Sequence, residues 1–222
     1  MLLIHLVASA AQPATASDSK NFATSFAKAI RCASEGAGRA SLDRYQADSI
    51  PTEVLKRCSV EASQAIEAMA KALPGSSKSM ARDNVEAKMR REAQKRLIAR
   101  LEANEPVKAP SDSGYGLEAA GARYISCIRL AINFKLEGVY LGERWPVEVT
   151  GLAASQREPY FVRIGRSACP ASSNGYEKTL NSGIAAADRH MRATILSSWD
   201  TEKMNRIAVT PYVRMAADFR NR

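Results

Sequence analysis

The sequence predicts an all-α fold: two small helical subdomains, each a disulfide-stapled antiparallel helix pair with extra helices. Three observations point there. Apolar residues recur at spacings of three and four along much of the 222-residue chain. Hydrophobic residues make up 45% of the chain, many of them alanine, while aromatics make up only 6%. A chain of that composition builds helices with thin seams. Four cysteines fall as one pair in each half, Cys32 with Cys58 and Cys127 with Cys169.

The N-terminus reads MLLIHLVASAAQPATASDSK. Leu2 to Val7 is apolar, and Ala8-Ser9-Ala10 has the small-x-small form that signal peptidase accepts. No Lys or Arg precedes the apolar run, and His5 interrupts it. Residues 1–10 are expected to be a signal peptide, with Ala11 as the mature N-terminus. Beyond it no apolar stretch approaches the roughly 20 residues a membrane span needs. The mature chain is therefore expected in the periplasm or secreted, without a transmembrane span.

Residues 20–103 form the first expected subdomain. Phe22, Phe26, Ala29, Ile30 and Ala33 mark an amphipathic helix over 21–35, which Gly36 and Gly38 are expected to stop. A second helix opens at Pro51 and carries Val54, Cys58, Ala62, Ala65 and Met69 on one face. Pro74-Gly75 ends it. A third covers 78–103, with Val85, Met89, Ala93, Leu97 and Leu101 as its stripe. Residues 104–116, NEPVKAPSDSGYG, hold two prolines and two glycines and read as a linker.

Residues 117–222 form the second subdomain. Leu117, Ala120, Tyr124, Cys127, Ala131 and Phe134 follow a 3-4-3-4-3 spacing and predict one helix over 115–138. A short helix is expected over 147–156. Residues 159–165, PYFVRIG, fit a helix or a short extended piece. Cys169 precedes Pro170, which places it at a helix boundary. Helices are expected again over 176–199, weakened at Gly183, and over 210–220. The two halves share a plan: a helix carrying a cysteine, a turn-rich connection, then a second cysteine leading into more helix.

Four cysteines beside an export signal point to two disulfides, and pairing within each half follows from the linker between them. Zinc and redox sites favour Cys-x-x-Cys, which the chain lacks, so no metal or cofactor is expected. The net charge is +9, from 32 basic and 23 acidic residues, and the excess is spread over both halves. That pattern does not suggest a specific nucleic-acid module. The run KMRREAQKRLIAR offers Lys88, Arg90, Arg91, Lys95, Arg96 and Arg100 as candidate anion contacts. Glu86–Arg90 and Glu92–Arg96 are i,i+4 pairs in the favourable order, which instead suits a self-supporting exposed helix.

Other chemistry is thinner. Ser17-x-x-Lys20 and Ser25-x-x-Lys28 match the serine–lysine pattern of penicillin-recognising enzymes, but its other elements are missing. Asp188, Arg189, His190 and Arg192 lie together on a predicted helix. Glu143, Glu148 and Glu158 surround Trp145, where paired carboxylates would suit glycosidic chemistry. No phosphate loop, nucleophile elbow or dinucleotide fingerprint is present. The expectation is an exported, non-enzymatic binding or scaffolding protein of the bacterial envelope, partnered by another envelope protein or an anionic surface. A basic protein acting on anionic polymers or membrane surfaces is the alternative. A small hydrolase is the second.

Overall fold

The computed structural model describes residues 15–42, 49–73, 77–103, 116–136 and 147–220. Among them every regular element is helical, as the periodicity predicts. In chain order these are α1 (Ala16–Arg39), α2 (Ile50–Arg57), α3 (Ser59–Ala72), α4 (Lys78–Glu102) and α5 (Leu117–Lys135). Then follow α6 (Val147–Thr150), α7 (Ala154–Ala168), α8 (Pro170–Ala186), α9 (Arg189–Trp199) and α10 (Thr201–Arg220). The signal-peptide residues, nearly all of the linker, and Glu143 with Trp145 lie outside the described residues.

A capping box opens α1. The Thr15 hydroxyl accepts from Asp18 N at 3.1 Å, and the Asp18 carboxylate accepts from Thr15 N at 3.1 Å. The helix then runs through Gly36 and Gly38 to Arg39 rather than stopping at them. Those glycines are contact points. A Cβ at Gly36 would meet Val54 Cγ1 at 3.1 Å, and one at Gly38 would lie 3.6 Å from Arg96 Nε. Ala29, Ala33 and Ala37 continue the same thin seam and are fully buried.

The helix expected from Pro51 to Met69 is two, hinged at Cys58. Cys58 N donates to Val54 O at 3.0 Å and closes α2. Cys58 O accepts from Ala62 N at 3.0 Å and opens α3. The backbone therefore bends while keeping its bonds. Contacts along the helices set their directions. The Asp18 carboxyl, early in α1, is held below its ordinary pKa chiefly by its hydrogen bonds from Thr15 and also by the nearby Lys71, late in α3, so these two helices run antiparallel. Glu67 and Lys78 pair at 3.8 Å at the α3–α4 turn. Arg100 donates to Ala37 O and Ala40 O at 2.7 and 2.8 Å, closing the end of α1 from the end of α4.

α5 is the central helix. Gly116, at φ 66°, precedes it in the left-handed conformation glycine adopts at little cost. Leu117, Tyr124, Cys127 and Ala131 are buried, while Ala120 and Phe134 are only partly so. Ile125, Ile128, Leu130 and Ile132, off the predicted stripe, are buried as well. The reason is that α4, α7, α8 and α10 all pack on α5, so it is apolar nearly all round. One core joins α1–α4 to Ala122, Cys127, Leu130 and Ala131 of α5 and to Cys169. A second gathers Tyr124, Ile128 and Ile132 of α5 with Phe161, Tyr176, Met204 and Tyr212.

Three further boundaries differ from expectation. The helix over 147–156 is broken: α6 ends at Thr150 and α7 begins at Ala154. Residues 159–165 take the helical alternative, within α7, with Phe161 fully buried. Gly183 lies buried inside α8; the break falls at Ala187–Asp188, where Asp188 Oδ1 accepts from Met191 N at 2.8 Å and caps α9. In the same way Asp200 accepts from Lys203 N at 3.1 Å at the start of α10, which carries Pro211 in its interior and so begins nine residues before Thr210.

Candidate functional site

Both predicted disulfides are formed. Cys32–Cys58 and Cys127–Cys169 each have Cα atoms 6.0 Å apart, within the range the bridge requires, and no free cysteine is left. The two bridges repeat one plan. Cys32 and Cys127 lie inside helices, whereas Cys58 and Cys169 each end one helix and begin the next.

Around the second bridge the end of α4 meets the start of α8. The Glu102 carboxylate accepts from Ala171 N at 2.8 Å and Ser172 N at 2.9 Å. Pro170 occupies the first helical position, where its missing N–H costs nothing. The carboxylate thus satisfies the two donors that follow, at the positive end of the helix dipole. In return the Ser172 hydroxyl donates to Leu101 O at 3.2 Å. Glu102 Oε1 also lies 3.8 Å from Cys127 Sγ. The potential ligand atoms of Glu102, Cys127 and Cys169 fall within 4.8 Å of one another. As a metal site that set does not fit: both sulfurs are spent on their mutual bond, and the carboxylate is committed to two backbone donors.

The six candidate cations of α4 separate once their surroundings are known. Arg90 donates to Thr52 Oγ1 at 3.2 Å rather than pairing with Glu86. The Arg91 guanidinium lies over the Phe134 ring, 4.3 Å from its centroid, and ties α4 to α5. Arg100 closes α1, as above. Lys88, Lys95 and Arg96 are exposed, with Arg96 beside Gly38.

An overlapping set of cations, which shares Arg90, lines a trough of about 480 Å³ between α2–α3 and α4. On α4 its wall is Lys78, Arg82, Glu86 and Arg90, one residue per turn at i, i+4. The facing wall presents Thr52, Lys56, Ser59, Ser63 and Glu67, and Leu55, Ala62 and Ile66 supply apolar surface. Four cations thus meet two carboxylates. Lys78–Glu67 and Arg90–Thr52 close its two ends. Between them the side chains of Lys56, Ser59, Ser63 and Arg82 have no hydrogen bond or ion pair among the described residues. Sequence reasoning missed Arg82 because it lies outside the dense basic run. The only signal was the i+4 series from Lys78 to Arg90, which gains meaning once the α3–α4 hairpin supplies its partner wall.

The remaining candidates lie on several helices. His190 is exposed on α9, and Ser17 and Lys20 are exposed at the start of α1. Glu158 pairs with Arg206 at 3.6 Å, and Glu148 is exposed on α6. The buried tyrosines are anchors: Tyr124 donates to Asn205, Tyr176 to the Trp199 carbonyl, and Tyr212 to Asn133 Oδ1 at 2.8 Å. Burial, the largest influence, raises the Tyr124 phenol above its ordinary pKa. Among the described residues no helix is long and apolar enough to cross a membrane. No protein family matches the chain, and comparison with curated proteins and with solved structures gives no match.

Proposed function

We propose that this protein is an exported, non-enzymatic helical binding or scaffolding protein of the bacterial envelope, periplasmic or secreted. The observation that carries the reading is the state of its cysteines: all four are spent in two bridges. Such bridges persist in oxidising compartments and are removed in reducing ones. A leader-like start, Leu2 to Ala10, agrees with that compartment. The non-enzymatic part rests on the exposure of His190 and Glu148, on the pairing of Glu158 with Arg206, and on the commitment of the buried tyrosines to structural bonds. The test is fractionation of the native host followed by N-terminal sequencing. The reading expects a chain that begins at Ala11, outside the cytoplasm. An intact Met1 on a cytoplasmic protein would overturn it.

The net charge of +9 favours a second reading, a basic protein acting on anionic polymers or membrane surfaces. Retention on heparin or anionic lipid that falls steeply with salt is the expected behaviour. Retention indifferent to salt would count against it.

A further inference from the structure

We infer that the trough between α2–α3 and α4 is a binding site for a phosphorylated polyol, either a free sugar or glycerol phosphate or the same group carried as a lipid headgroup. The inference rests on reading the chain as a binding protein, and not on its export.

The pairing at the two ends sets the register of the walls. Glu67 opposes Lys78, and the helices run antiparallel, so Ser63 stands opposite Arg82 and Ser59 opposite Glu86. From Lys78 to Arg90 the wall spans about 18 Å at the helical rise. The trough volume, about 480 Å³, suits a small organic ligand rather than a bare ion.

Each wall position offers different chemistry. Arg82 presents a planar fork of N–H donors, and phosphate oxygens match that geometry in pairs. Ser63 adds a hydroxyl opposite it, and Lys78 flanks it one turn away. Lys56 supplies a further cation on the α2 side, with no side-chain partner among the described residues. Glu86 argues against a simple polyanion, because a row of phosphates or sulfates would meet its carboxylate midway. A polyol turns that carboxylate into an asset: Glu86 accepts from ligand hydroxyls, and Ser59 opposite can donate or accept. Leu55, Ala62 and Ile66 give the C–H face of such a ligand an apolar surface to cover. The combination of a cationic seat, an acceptor one turn away and an apolar patch is what a phosphorylated polyol needs.

The experiment is titration of the purified, oxidised full chain, followed by amide NMR shifts and calorimetry. The probes are glycerol 3-phosphate, inorganic phosphate and glycerol, with vesicles of phosphatidylglycerol and of phosphatidylcholine as a separate arm. Saturable binding of glycerol 3-phosphate, or of phosphatidylglycerol but not phosphatidylcholine vesicles, is expected, and the arm that binds identifies the source. Arg82→Gln should weaken that binding by about tenfold or more, as loss of a charged hydrogen-bonding partner does. Glu86→Gln should erase the preference for glycerol 3-phosphate over inorganic phosphate. Lys28→Gln, an exposed cation on α1 away from the trough, should change nothing. All three variants should keep wild-type helicity by circular dichroism. No saturable binding of any probe, or equal effects of R82Q and K28Q, would overturn the inference. So would vesicle binding that survives R82Q. Because the titration uses isolated protein, its failure leaves the export reading standing, and a cytoplasmic Met1 chain that still binds would leave this inference standing.

Discussion

Gly165→Ala tests how closely α7 crosses the central helix. A Cβ at position 165 would lie 2.5 Å from Ile128 Cγ2 and 3.0 Å from Ile128 Cβ and Cγ1. Carbon atoms prefer about 3.5–4.0 Å, so the helices must part by roughly 1 Å or Ile128 must move. Ile128 has little room to move. It is fully buried, and its branched Cβ holds one favoured rotamer in a helix. Overpacking of this kind costs about 1–3 kcal/mol. The alanine gains up to about 1 kcal/mol in helix propensity, which offsets part of that cost. The net expectation is a loss of about 1–2 kcal/mol, read by urea unfolding with both disulfides intact. The cause is isolated by a double-mutant cycle with Ile128→Ala, which removes Cγ1 and Cγ2. The double variant should lose less than the sum of the singles, by about 1–2 kcal/mol. A Gly165→Ala protein as stable as wild type, or additive losses in the cycle, would show that α5 and α7 do not cross this closely.

Three other outcomes follow from named contacts. Ala131→Asp puts a carboxylate into a face of α5 that is 4% exposed, and should cost several kcal/mol by denaturant unfolding; a loss below about 0.5 kcal/mol would mean that the face is open. Glu102→Ala orphans the N–H groups of Ala171 and Ser172 at the head of α8 and should cost about 1–3 kcal/mol; hydrogen exchange at those two amides should quicken, and unchanged protection would contradict the cap. Hydrogen bonds from Thr15 hold the Asp18 carboxyl below the ordinary aspartate value of 3.8. A lowered pKa stabilises above the unfolded value and is lost as pH falls through the folded one, so the first turn of α1 should loosen only in acid below about pH 4. Amide exchange at Asp18 that is flat through that range would speak against the capping box.

Much of the architecture was legible because single faces repeat in the sequence. The stripe from Leu117 to Phe134 announced α5, and the spacing of Val85, Met89, Ala93, Leu97 and Leu101 announced α4, all five of which are fully buried. The disulfide pairing followed from one cysteine pair on either side of a proline- and glycine-rich stretch. What stayed hidden depends on tertiary neighbours. Gly36 and Gly38 look like helix stops until Val54 and Arg96 are found packed against them. Ile125 and Ile128 look like off-face residues until α7, α8 and α10 surround α5. The helix expected over 210–220 starts at Thr201 instead, because the cap at Asp200 lies well before it. The trough was the least legible feature, since Arg82 faces Ser63 only through a hairpin whose register no local pattern specifies.

The most direct measurement of the central claim is non-reducing peptide mapping, with thiol alkylation before lysis, on protein taken from its native host. Cys32 should be found linked to Cys58 and Cys127 to Cys169, with no alkylated cysteine. In the chain-entropy picture these closures stabilise by about 3.5 and about 4 kcal/mol, so reduction should lower the unfolding midpoint sharply. Four alkylated thiols in freshly lysed cells would contradict both bridges and, with them, the proposal of export. A Cys32–Cys127 or Cys58–Cys169 linkage would contradict the architecture itself.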